Sequence, residues 1–210
     1  LGTRMKATGE VMAIGTSFEM AIMKAVRGAE ISLSSLNLDK YEGKDLREEL
    51  KKLSDERLFT VFAALKAGVS IDEIFEITKI DRWFLSKLNN LVEYEKCLKS
   101  EKLTRALYEE GKRLGYPDHE IEKLSGQKIP YHRKAVYKMV DTCAAEFSAE
   151  TPYFYSTYDE YAHDEATPFI AESTKKRIIV IGSGPIRIGQ GIEFDYSSVH
   201  CVWTLKQLGY

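Results

Sequence analysis

The sequence has 210 residues, which exceeds one ordinary domain of about 150 residues and falls short of two. Its 44% hydrophobic and 30% charged residues exclude a wholly disordered chain. The net charge of −2 gives no overall attraction to nucleic acid or to an anionic membrane, and no apolar run approaches the roughly 20 residues of a membrane helix. We therefore expect no nucleic-acid partner and no membrane partner. Three widely separated cysteines and the lack of an apolar leader stretch indicate a cytoplasmic protein.

The middle of the chain has the pattern of helices joined by short turns. From about residue 43 to 139, apolar residues recur at helical spacing, and we find no strand signal. Ser70 and Asp81 are predicted to cap the starts of two of these helices, and Ser100 is predicted to cap a third. The pattern therefore predicts a helical domain, to which we assign residues 37–150.

Trp83 and Phe84 are the interface candidates of this helical region. They are neighbours on the helix that Asp81 is predicted to cap, so they lie about 100° apart around its axis. At least one large ring is therefore expected to face outward. We predict self-association or docking to another part of the protein through these side chains.

Residues 68–74 and 115–121 form a weak internal repeat. Each stretch has a glycine that ends one helix, then a turn, then residues that start the next helix, at matching positions. Shared turn chemistry explains this likeness without a common function. The alternative is a helix-turn-helix module that binds DNA, in which residues 131–139 would form the reading helix with Arg133 and Lys134 among its cations. The near-neutral composition disfavours that alternative.

Residues 151–173 change the pattern, because tyrosines and phenylalanines crowd among acidic residues. We interpret them as a linker whose rings hold it against the protein surface. A platform that stacks nucleic-acid bases is the alternative, but such platforms lie in basic grooves and this stretch is acidic.

A β-branched run at residues 178–181 predicts a buried parallel strand, and residues 199–208 predict a helix that ends at Gly209. A single β-α unit cannot cover both faces of its strand, so we expect the chain to be a piece of a larger protein.

The glycine-rich segment between this strand and this helix is the strongest candidate for chemistry. It lacks the third glycine of a dinucleotide fingerprint, and it lacks the lysine of a P-loop. Exposed backbone N–H groups could still meet a small anion, although glycines that serve only close packing stay an open alternative. The candidate residues of this anion loop are Gly182, Gly184, Arg187, Gly189, Gln190, Gly191 and Glu193.

Residues 182–200 closely resemble the opening of the second synthetase half in the large chain of bacterial-type carbamoyl phosphate synthetases. Residues 81–85, 137–147 and 155–158 resemble that family's central helical domain and its exit linker. Residues 5–15 resemble the end of the first synthetase half, with alanine at position 7 where serine is common. Several long motifs in the family's order make the resemblance specific.

The resemblance implies a mainly α fold, with a central helical oligomerisation domain followed by the first β-α unit of a truncated, Rossmann-like pre-ATP-grasp domain. Residues 1–36 would end the carboxyphosphate-forming half, and residues 174–210 would begin the carbamoyl-phosphate-forming half. Such ligases make carbamoyl phosphate from bicarbonate, ammonia and two ATP, for arginine and pyrimidine synthesis. The parent enzyme would use ATP with Mg²⁺ or Mn²⁺, and a small subunit would supply ammonia from glutamine. The anion loop would line the path of the intermediate.

We predict no catalytic residue, metal ligand or cofactor site in this chain, because the Glu-x-Asn-Pro-Arg motif of ATP-grasp sites does not occur in it. The chain alone is therefore expected to be inactive. Cys143 is interpreted as a packed apolar residue. His163-Asp164-Glu165 is a weak candidate for cation binding, and His200 is expected to be half-buried at a domain contact.

Overall fold

The computed structural model describes residues 9–41, 43–142, 146–147, 153–159, 163–171, 174–182, 186–187 and 191–210. The chain forms two compact units. Residues 14–27 and 31–134 make the first, which we call the helical unit, and the described parts of 1–13, 28–30 and 135–210 make the second. The mainly α fold predicted from the sequence is confirmed.

The described residues of the helical unit form seven α-helices, with a long connection after the first and short connections between the others. They are α1 (Phe18–Gly28), α2 (Leu46–Lys51), α3 (Arg57–Lys66), α4 (Ile71–Thr78), α5 (Arg82–Ser100), α6 (Arg105–Leu114) and α7 (Asp118–Ser125). α5 is the longest and packs against α3, α4, α6 and α7, so its apolar face is the centre of the core. Leu85, Leu88 and Leu91 on that face are at most 3% exposed.

Residues before position 37, where the sequence analysis placed the start of the helical domain, also belong to this core. Met20 and Met23 of α1 are fully buried, and Val26 is 5% exposed. Burial of such side chains stabilises the fold by about 1.5–3 kcal/mol each.

Two predicted helix caps are confirmed. Ser70 Oγ accepts a hydrogen bond from the Glu73 amide over 3.2 Å, and Asp81 Oδ1 accepts one from the Trp83 amide over 2.7 Å. The prediction for Ser100 was wrong, because Ser100 is the last residue of α5 and its hydroxyl donates to the Lys96 carbonyl. Thr104 caps α6 instead, accepting from the Leu107 amide over 3.2 Å.

The alternative of a helix-turn-helix module with a reading helix over residues 131–139 was wrong, and so was the expectation that no strand occurs up to residue 139. Residues 136–139 form strand β2 (Val136–Met139), which pairs antiparallel with β3 (Phe154–Thr157). Val136 lies opposite Thr157, and Met139 lies opposite Phe154. Pro130 disfavours a helix here, and a β-branched and aromatic segment gains its ladder from a partner strand instead. Part of the predicted linker is thus a strand.

The second unit also contains α8 (Ala166–Ala171), β4 (Ile186–Arg187) and α9 (Gly191–Gln207), and β4 pairs antiparallel with β1 (Gly9–Glu10). α9 begins earlier than predicted, and Gly209 follows it with the expected positive φ of 88°.

The predicted buried strand at residues 178–181 was wrong. None of these residues is in a strand, and Ile179 and Ile181 are each 89% exposed. A parallel strand forms only where a neighbouring strand satisfies its backbone groups, and no described residue pairs with this segment. Among the described residues, no helix has the length and apolar content needed to cross a membrane.

Candidate functional site

A cluster of three aromatic rings, two exposed and one partly buried, lies where α1 meets the start of α5. Trp83 is 52% exposed and Phe84 is 44% exposed. The ring of Phe18 lies 5.5 Å from that of Trp83 and 5.4 Å from that of Phe84, centroid to centroid. We call Phe18, Trp83 and Phe84 the aromatic surface. Both interface candidates therefore face outward together, whereas the sequence required only one to do so.

The aromatic surface is held in place by its helix start and by a buried carboxylate. The Asp81 cap fixes the first turn of α5, on which both rings sit. Glu19 of α1 is 4% exposed, and its carboxylate accepts a hydrogen bond from Asn90 Nδ2 over 2.8 Å. Lys87 Nζ lies 3.6 Å from the same carboxylate and 5.5 Å from the centre of the Trp83 ring. These contacts join α1 to α5 near the aromatic surface.

Phe18 was missed by the sequence analysis. It lies 65 positions before Trp83, and no local pattern indicates that the two rings meet. The contact depends on α1 packing against α5, which is a property of the folded core.

A second arrangement that the sequence did not indicate is a buried polar network around Glu95. Glu95 is 1% exposed, and its carboxylate accepts hydrogen bonds from Lys66 Nζ at 2.8 Å, Asn37 Nδ2 at 2.7 Å and Tyr116 Oη at 3.1 Å. Burial, aided by the neighbouring Glu95 carboxylate, raises the pKa of the Tyr116 phenol. The network joins α3, α5 and the segments around residues 37 and 116, and it serves the fold.

A surface cleft of about 420 Å³ lies beside this network. Its walls include Leu38, Leu46, Phe62 and Lys66. The Lys66 ammonium at the cleft already binds Glu95 and Asn37, so it is not available as a cation for an anionic ligand.

The structure describes only part of the anion loop. Gly182 is exposed, Arg187 pairs through its strand with Gly9, and Gly191 begins α9. Gly184, Gly189 and Gln190 lie outside the described residues, as do the side chains of Arg187 and Glu193. The assignment of this loop to an intermediate path therefore stays a prediction.

The remaining candidates do not form a catalytic or metal-binding group. Glu165 binds Lys138 Nζ and accepts a hydrogen bond from the Met139 amide over 2.7 Å, and these contacts lower the pKa of Glu165. Asp164 caps α8 by accepting from the amides of residues 166 and 167. Within the described ranges, no three His, Cys, Asp or Glu side chains are placed to hold a metal ion.

The expectation for Cys143 is not tested by the structure, and the expectation for His200 was wrong. Cys143 lies outside the described residues. His200 is exposed on α9, not half-buried, and its ring lies 3.9 Å from that of Tyr196 and 5.1 Å from that of Trp203.

Comparison with known proteins gives two family matches. Residues 10–144 match the oligomerisation domain of the carbamoyl-phosphate synthetase large chain, and residues 174–210 match the preATP-grasp domain of carbamoyl phosphate synthase. The first match covers the whole helical unit, and the second covers β4 and α9.

Similar full-length proteins give the same result. The carbamoyl phosphate synthase large chains of Lachnoclostridium phytofermentans and Caldanaerobacter subterraneus are each 47% identical to the chain, and that of Methanosarcina mazei is 44% identical. All of this chain is covered in each comparison, and it spans 20% of the length of these relatives. The chain therefore belongs to the carbamoyl phosphate synthetase large-chain family.

Proposed function

We propose that the chain is part of a large chain that makes carbamoyl phosphate from bicarbonate, ammonia and two ATP, and that its helical unit serves assembly. The aromatic surface carries the assembly part of this proposal. Aromatic side chains are enriched at the centres of protein interfaces, and exposed Trp83 and Phe84 lie on a helix, packed against the partly buried Phe18. A second copy of the helical unit is the proposed partner.

The test measures self-association of the 210-residue chain. Trp83 and Phe84 are replaced together by serine, and sedimentation velocity is recorded over a wide concentration range. We expect the dissociation constant of the assembly to rise at least tenfold, with unchanged far-UV circular dichroism, because the substituted side chains lie on the surface. Trp203→Ser is the matched control, since Trp203 is 56% exposed but lies in the second unit.

Two results would contradict the assembly proposal. One is a parent chain that stays monomeric at every concentration. The other is a double variant that associates as tightly as the parent.

The proposal for the parent enzyme includes its cofactors, partners and pathway. ATP with Mg²⁺ or Mn²⁺ would be held by parts of the large chain other than the described residues, which offer no suitable cluster of carboxylates. A glutamine-hydrolysing small subunit would provide ammonia, and the product would enter arginine and pyrimidine synthesis in the cytoplasm. We further propose that the anion loop lines the path of the carbamate intermediate, because glycines permit close approach and polar neighbours can bind a small anion.

The chain alone is proposed to be inactive. Incubation with ATP, Mg²⁺, bicarbonate and ammonia should give no carbamoyl phosphate above a control without protein. Formation of product by the purified chain would overturn this part of the proposal.

A further inference from the structure

The segment that follows α1 has an unusual backbone. Residues 28–30 group with the second unit, whereas residues 27 and 31 belong to the helical unit. Glu30 has a φ of +54° and Ser32 a φ of +60°. This left-handed conformation is disfavoured for residues with a side chain, and it persists where the surroundings impose it.

The first anchor holds the end of α1 to the turn between α6 and α7. Arg27 Nη1 donates a hydrogen bond of 2.7 Å to the Gly115 carbonyl. α1 also packs closely on this turn, because a methyl group on Gly115 would lie 3.0 Å from Met23 Cβ and 3.2 Å from Met20 Cα. The position of α1 relative to the turn is therefore tightly defined.

The second anchor holds the other end of the segment to the first turn of α7, directly after that turn. Ser35 Oγ donates to Glu120 Oε1 over 2.8 Å, and both residues are 3% exposed. Ser34 Oγ lies 2.8 Å from His119 Nε2. Residues 115–120 thus bind the chain immediately before and shortly after the left-handed residues.

We infer that residues 115–120 are a clamp that imposes the strained conformation of residues 28–33. Because the two anchors fix the ends of the segment, they restrict the backbone conformations that the residues between them can adopt. This inference does not depend on self-association.

A double-mutant cycle tests whether the clamp imposes the strain. Ser32→Gly removes the side chain that opposes a positive φ, and Ser35→Ala removes the buried hydrogen bond to Glu120 from the second anchor. Glycine also makes the unfolded chain more flexible, but that contribution is the same in both backgrounds and cancels in the cycle. Urea denaturation of the 210-residue chain gives the four unfolding equilibrium constants.

With the clamp intact, we expect Ser32→Gly to lower the unfolding equilibrium constant. Relative to its effect in the Ser35→Ala background, this stabilisation should be larger by a factor of at least about five. Additive effects of the two substitutions would overturn the inference. If Ser35→Ala prevents folding, Arg27→Met replaces it, because methionine keeps an apolar stem and removes the donor to Gly115.

Hydrogen exchange provides a local measurement. Ser35→Ala should speed exchange of the amides of residues 28–36 at least tenfold relative to those of α5. Glu120→Gln keeps an acceptor oxygen for Ser35 and should stay within about twofold of the parent. Ser86→Ala is the control, because its hydroxyl bonds only within α5, to the Trp83 carbonyl. Equal acceleration in α5 and in residues 28–36, or the same effect in the control, would overturn the inference.

Discussion

Gly111 occupies the middle of α6, where alanine would ordinarily stabilise a helix by about 1 kcal/mol. Here the ring of Tyr94 from α5 lies against the glycine. A methyl carbon on Gly111 would lie 1.9 Å from Tyr94 Oη and 2.7 Å from Tyr94 Cζ. An ordinary contact begins at 3.4 Å, so Tyr94 would have to withdraw by roughly 1.5 Å.

Tyr94 has no room to withdraw. It is 4% exposed, its hydroxyl donates to the Leu107 carbonyl over 3.1 Å, and its ring centre lies 5.0 Å from that of Tyr116. Overpacking costs about 1–3 kcal/mol and loss of the hydrogen bond about 1 kcal/mol. These costs exceed the roughly 1 kcal/mol by which alanine stabilises a helix relative to glycine. We therefore expect Gly111→Ala to lower the free energy of unfolding by about 2 kcal/mol.

Urea denaturation followed by far-UV circular dichroism measures this change. Gly126→Ala is the matched control, because Gly126 has a φ of +65° and no atom within 4 Å of an added methyl group. Gly126→Ala should lower the free energy of unfolding by only about 1 kcal/mol, which is the cost of a positive φ for a residue with a side chain. Introducing Tyr94→Leu should reduce the cost of Gly111→Ala, since it removes the clashing ring. A Gly111→Ala variant as stable as the parent would refute the reasoning.

Three further predictions concern the buried network, the second unit and the anion loop. Glu95→Ala should lower the free energy of unfolding by about 3 kcal/mol in urea, because it leaves buried polar partners without an acceptor. A double variant with Lys66→Met should recover part of this loss, and no recovery would contradict the pairing. The contacts of Glu165 depress its pKa, so by NMR titration it should ionise below the usual 4.5. The stabilising contribution of the Glu165 carboxylate is then full above pH 4.5 and is lost as the pH falls through the lowered pKa. Lys138→Met should return the pKa of Glu165 toward 4.5. An unchanged pKa in this variant would exclude Lys138 as the main cause. In the complete enzyme, Gly191→Leu should reduce carbamoyl phosphate synthesis at least tenfold while the bicarbonate-dependent ATPase and ATP synthesis from carbamoyl phosphate largely survive. Equal loss of all three with a lower melting temperature would indicate a structural loop, and a raised KM for ATP would indicate nucleotide contact.

The parts of the fold that could be predicted from the sequence depend on near neighbours. Ser70 and Asp81 each cap a helix through an amide two or three residues away, and Gly115 ends α6 because it can adopt a positive φ, here +95°. Spacing along the chain contains this information. Trp83 and Phe84 were likewise identified from helix geometry alone.

The parts that could not be predicted depend on residues far away in the sequence. β2 forms because residues 154–157 pair with it, and residues 178–181 have no strand partner among the residues that the structure describes, despite a strand-like composition. Phe18 joins the aromatic surface, and Glu95 gathers its partners, only after helices from separate parts of the chain have packed. A propensity measured over a short window contains none of these contacts.

The position of α1 has a consequence during synthesis of the protein on the ribosome. α1 is made first, but the turn at Gly115 against which Met20 and Met23 pack is made about 90 residues later, which takes roughly 5–20 seconds at usual translation rates. During that interval the apolar face of α1 cannot reach its final partner. The nascent chain therefore has to keep this face from wrong contacts until α6 and α7 emerge, and the order of translation delays completion of the helical core.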